Sequence, residues 1–112
     1  MGQIFNSVGC SFHERGFHKS SERSFLNALH VYLQDIIGKK VNTEEAQSVD
    51  FLLNKVNECK DWASFISSSY LLDTAITFNN LACVLINKQS YLAAISCLRL
   101  SLKVSFNLIN MV

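Results

Sequence analysis

The chain has 112 residues, 49% of them hydrophobic and 17% charged, with a net charge of +1. That length supports one domain around one core. The apolar content excludes a wholly disordered chain, and the near-neutral balance gives no electrostatic case for a nucleic-acid partner. Proline is absent and three of the four glycines precede Arg23, so little after that point breaks a helix and the expected class is all-α.

Residues 1–20, MGQIFNSVGCSFHERGFHKS, hold three glycines, several serines and two histidines without a sustained apolar period. They read as a flexible N-terminal arm ahead of a helical domain over 21–112. Gly2 follows the initiator methionine as N-myristoylation requires, although Asn6 stands where the strict pattern has Ser or Thr. One acyl chain anchors only marginally. Palmitoylation at Cys10 and the basic residues Arg15, Lys19 and Arg23 would supply the second signal, which makes a membrane-surface docking protein the alternative reading. Cys10, His13 and His18 fall short of the four ligands and fixed scaffold of a zinc site, so no metal and no cofactor is expected.

A first helix is expected from Ser20 or Ser21 to Gly38, with Phe25, Leu29, Tyr32, Leu33 and Ile36 on its buried face. Asn42 and Glu45 form a variant capping box for a second helix ending near Cys59 or Lys60, which buries Ala46, Val49, Leu52, Leu53 and Val56. The adjacent Glu44 and Glu45 fit a helix start better than acid–base chemistry. Asp61 is the expected N-cap of a third helix running through Trp62, Phe65, Ile66, Leu72, Ile76 and Leu81, with a weak point at Ser67-Ser68-Ser69. A fourth helix starts near Ser90, after a tight connection at Asn87-Lys88-Gln89 that makes the last two helices antiparallel.

The stretch TFNNLACVLINKQSYLAAISCLRLSL, residues 77–102, resembles a tetratricopeptide repeat of the kinesin-light-chain kind, spanning about residues 71–104. The family's large and small positions fall on Phe78, Leu81-Ala82 and Leu85, then on Tyr91, Ala94, Leu98 and Ser101. Ser101 replaces the usual alanine, and the proline that often follows the second helix is missing. No second copy of the Leu-Ala signature is expected in the earlier helices, which read as a pair packing on this one repeat. The resemblance implies about four helices in antiparallel hairpins, and a protein or peptide partner held by the first helix of the pair. Asn80 would bond the partner's backbone, with Asn79, Cys83 and Asn87 on or near the same surface. Only Lys88 is at hand for a ligand's terminal carboxylate, so a carboxylate clamp is not implied.

No cysteine has a histidine base in evident reach and no glycine-rich phosphate loop occurs, so the chain is expected not to be an enzyme. Cys10, Cys59, Cys83 and Cys97 lack C-x-x-C spacing and the N-terminus lacks a secretory apolar region. Reduced thiols and a cytoplasmic location are expected, with Cys59, Cys83 and Cys97 in the core. No uninterrupted apolar run approaches the ~20 residues of a membrane span. All nine acidic residues lie at or before Asp73. The last helix is apolar on two sides: Tyr91, Ala94, Ile95, Leu98 and Leu102 are expected to pack on helix three. Leu100, Val104, Leu108 and Met111 are then expected to face a second copy, a partner protein or, if the chain is a short fragment or isoform of a longer repeat protein, the following repeat.

Overall fold

The computed structural model describes residues 2–37 and 48–110. Within them the chain is all-helical: α1 (Gly2–Glu14), α2 (His18–Tyr32), α3 (Gln34–Ile37), α4 (Val49–Glu58), α5 (Leu71–Asn87) and α6 (Tyr91–Asn110). Two 3-10 turns, Trp62–Phe65 and Ser68–Tyr70, precede α5. The capping box at Asn42 and Glu45 and the stop at Gly38 lie outside the described residues.

Residues 2–14 are not an arm but a helix, antiparallel to α2 across Arg15-Gly16-Phe17. What makes the pairing close is Gly9. A Cβ there would lie 2.6 Å from the buried Phe25 ring, and the Gly9 carbonyl accepts a 2.7 Å bond from the buried Ser21 hydroxyl. Side-chain volume is missing at the one point where backbone and ring meet.

The α5–α6 hairpin is built the same way, shifted by 73 positions. Phe5-Asn-Ser-Val-Gly-Cys-Ser-Phe12 aligns with Phe78-Asn-Asn-Leu-Ala-Cys-Val-Leu85. The turns agree bond for bond. Arg15 N–H to Ser11, Gly16 N–H to His13, Phe17 N–H to Phe12 and Ser21 N–H to Phe17 have equivalents from Lys88 to Val84, Gln89 to Ile86, Ser90 to Leu85 and Ala94 to Ser90. Gly16 (φ 80°) and Gln89 (φ 63°) hold the same left-handed position. The two hairpins thus share one turn pattern, and Val8-Gly9 stands in the first where Leu81-Ala82 stands in the second.

Other expectations shift as well. Asp61 caps nothing with its side chain and sits at φ 59°. The expected weak point at Ser67-Ser68-Ser69 is a break, so α5 begins only at Leu71. The N-cap that the described chain shows for α4 is Ser48, whose hydroxyl accepts from Phe51 N–H at 3.1 Å. On α6 the two apolar stripes exchange roles. Leu100 and Val104 are buried together with Ala94, Cys97 and Ser101, while Tyr91, Ile95, Leu98 and Leu102 are exposed. Met111 lies outside the described residues. Ser101 faces α5 because its hydroxyl donates to the Ala75 carbonyl at 2.9 Å, which an alanine cannot do.

The second hairpin sits on the first through α2 and α5. Lys88 pairs with Glu22 at 2.9 Å at one end, and Tyr32 packs on Tyr70 with ring centroids 5.1 Å apart at the other. Trp62 closes over Phe78 edge to face, bringing the intervening segment into the core. Two segments, Ser68–Asn87 and Tyr91–Asn110, have the length and apolarity of a membrane span, against the expectation that none comes near it. Half of the first window is buried inside the protein, but only 28% of the second.

Gly9→Val and Ala94→Leu both overfill a hairpin crossing and should each cost about 1–3 kcal/mol. Ser96→Leu, further from the crossing, should stay within ~0.5 kcal/mol; thermal or urea unfolding ranks the three. Gln89→Gly relieves a left-handed non-glycine residue and should stabilise by up to ~1 kcal/mol. The same unfolding measurement with Gly16→Gln should show a loss at the equivalent turn.

Candidate ligand surface along α1 and α5

Because α5 lies antiparallel to α2, it runs parallel to α1, and polar side chains of the two helices meet in register. The Gln3 amide donates to Asp73 at 3.3 Å. Further along, Asn80 Nδ2 donates to Asn6 Oδ1 at 3.2 Å and to Cys10 Sγ at 3.5 Å. Asn80 is therefore half-buried and engaged in holding α1 to α5, instead of standing free for a ligand. Asn79, Cys83 and Asn87 are exposed on α5. The likeness of the two hairpins pairs Asn79 with Asn6 and Cys83 with Cys10, so each hairpin's first helix carries the same amide-and-thiol face. Asn6 and Gln3 were not legible as site residues while 1–20 read as an arm; the matching Phe-Asn pairs were the available signal.

Gly2 is buried under the Tyr32 ring, which a Cβ at that position would strike. The Tyr32 hydroxyl is buried and has no hydrogen-bond partner among the described residues. Burial, then the nearby Asp73 and Tyr70, push its pKa up to about 12. Of the thiols, Cys97 is in the core, Cys59 and Cys10 are half-buried and Cys83 is exposed, which corrects the expectation of a core Cys83. Burial, and secondarily Glu22, push the Cys97 thiol up to about 12. Burial, then Glu14, raise Cys10.

The His13 and His18 rings pack 5.8 Å apart. Among the described residues no three His, Cys, Asp or Glu side chains gather as metal ligands. What the surface offers chemically is a strip of neutral hydrogen-bond donors and acceptors on two parallel helices. A comparison of the chain with family models, curated proteins and solved structures finds no match.

With an alkylating reagent at pH 8, Cys83 should react first and Cys10 more slowly. Cys97 should react only on unfolding, since a thiol with a pKa of about 12 is thiolate in only about one part in ten thousand at that pH. Site-resolved mass spectrometry over a time course reads the order.

Proposed function

We propose that the chain is a protein-interaction module of the tetratricopeptide kind, holding an extended segment of a protein partner along α1 and α5 and catalysing nothing. The observation that carries this is the exposed face of Asn79, Cys83 and Asn87 on α5, whose equivalents on α1, Asn6 and Cys10, already bond a neighbouring helix through Asn80. An amide offers one acceptor and two donors, which suits main-chain recognition with little side-chain selectivity. The repeat reading gains support from the first hairpin, where Phe5, Val8-Gly9, Phe12, Ser21, Phe25 and Ala28 follow the large and small pattern assigned to Phe78, Leu81-Ala82, Leu85, Ala94, Leu98 and Ser101.

In this reading Asn79, Cys83 and Asn87 face the partner, and Asn80 positions α1 against α5. A cytoplasmic setting with reduced thiols is proposed with it. The acylated membrane-docking alternative ranks lower, because modifying Gly2 and Cys10 means displacing one from Tyr32 and the other from Asn80.

Selection from a random peptide display library on the full chain should enrich extended sequences. Fluorescence polarisation with an enriched peptide should then show about 5–10-fold weaker binding for Asn79→Ala, in keeping with the loss of one hydrogen bond. Ser96→Ala, on the opposite helix of the hairpin, should leave binding unchanged. No enrichment, or equal affinity for both variants, removes this reading.

A further inference from the structure

The likeness of the two hairpins says what each open face of the molecule is built to meet. On α2 and just beyond it, Glu22 pairs with Lys88 of the second hairpin, and Phe25, Leu29 and Leu33 are buried along the helix side that continues from it. Their equivalents 73 positions on are Ile95, Leu98, Leu102 and Phe106 of α6. Leu29 and Leu33 are 0% exposed, whereas Leu102 and Phe106 are 62% and 64% exposed. The other half of the seam shows the reverse. Thr77, Phe78, Leu81 and Leu85 of α5 are buried. Their equivalents Ile4, Phe5, Val8 and Phe12 line an open groove of about 490 Å³ on the far side of the first hairpin, and Ile4 is 63% exposed. Trp62 shields Phe78 further, and no equivalent of it stands over Phe5 among the described residues, so that side is a groove instead of a flat face.

We propose that copies of this chain join head to tail, the α6 stripe of one copy seating in the α1–α2 groove of the next. The contact repeats the seam between α2 and α5. Among the described residues both of its halves lie open on every chain, at opposite ends, so a second copy is the occupant that brings the matching half. Part of the polar register carries over, while Ile95 and Arg15 stand where Glu22 and Lys88 pair. Ser7, the equivalent of Asn80, would meet Asn79 and Cys83 of the preceding copy. Arg99 stands where α2 has the buried Leu26, so the contact between copies is weaker than the internal one. Such a pairing is heterologous and does not close at two copies. It rests on the likeness of the two hairpins, and it competes with a peptide ligand for Asn79 and Cys83.

The test uses the full chain in analytical ultracentrifugation over a concentration series. Wild type should grow in mass beyond a dimer. Ile4→Glu and Leu102→Glu, both at largely exposed sites and checked for unchanged far-ultraviolet circular dichroism, should each be monomeric alone. Mixed, they should form a 1:1 dimer and stop there, because each retains one intact face. Arg99→Leu should shift association to at least several-fold lower concentration. A wild type that stays monomeric throughout overturns the proposal. So does an Ile4→Glu variant that still self-associates, since α6 would then pair with itself. Flotation of a protein that is monomeric in solution with phosphatidylcholine vesicles would assign the stripe to a membrane and overturn it as well.

Discussion

The seam between α2 and α5 is pinned by an ion pair at one end and by two tyrosine rings at the other, with Leu29 and Leu33 fully buried on its α2 side. The partly exposed Lys88–Glu22 pair contributes about 0–1 kcal/mol, while each fully buried large aliphatic contributes about 1.5–3 kcal/mol. Apolar burial therefore sets the strength of the seam, and the polar ends set its register. The register is what the proposed ligand surface depends on. A slip of one helical turn, about 5.4 Å, would carry Asn80 away from Asn6 and Cys10 and unmatch the two amide-and-thiol faces.

Each hairpin must close tightly before that seam can form, and the two solve the problem with different residues. The first has Gly9 under Phe25, with the Ser21 hydroxyl tying α2 back to the Gly9 carbonyl. The second has Ala82 and Ala94, and its hydroxyl bond comes lower on the helix, from Ser101 to Ala75. Both place a small side chain where helices cross and both satisfy a buried hydroxyl across the hairpin. The physical role is kept while the residue that performs it moves, which is why the likeness is plainer in the turn hydrogen bonds than in the letters.

The all-α class, the α5–α6 hairpin, its tight turn and the break at the three serines were legible in the sequence, because the apolar spacing from Leu71 onward is dense and the turn is short. The first hairpin was not. Gly9, Gly16 and the serines of residues 7–11 lower helix propensity enough to read as an arm, and tertiary packing on Phe25 and Tyr32 overrides that preference. The phase of α6 was misassigned for a different reason. A helix apolar on two sides fits the core equally well in either orientation by spacing alone, and the choice falls to Ser101, whose hydroxyl must reach Ala75. The repeat pattern marks Asn80 as a ligand-binding amide, whereas in the structure its amide bonds Asn6 and Cys10 of α1. Only a helix at 2–14 could have revealed that.

The segment between the hairpins separates stability from association. α4 buries Leu52, Leu53 and Val56, and Trp62 and Ala63 fill the side of the second hairpin that the first cannot reach. With that core in place, two hairpins suffice for a folded unit, and the α6 stripe is not needed to hold it together. α6 itself also carries no carboxylate, since no Asp or Glu follows Asp73 in the chain. An apolar, carboxylate-free face at the end of a stacked structure is poorly suited to water and well suited to a surface that brings its own cover. Because the core does not draw on Leu102 or Phe106, that face is free to be matched to its contact without compromising the fold.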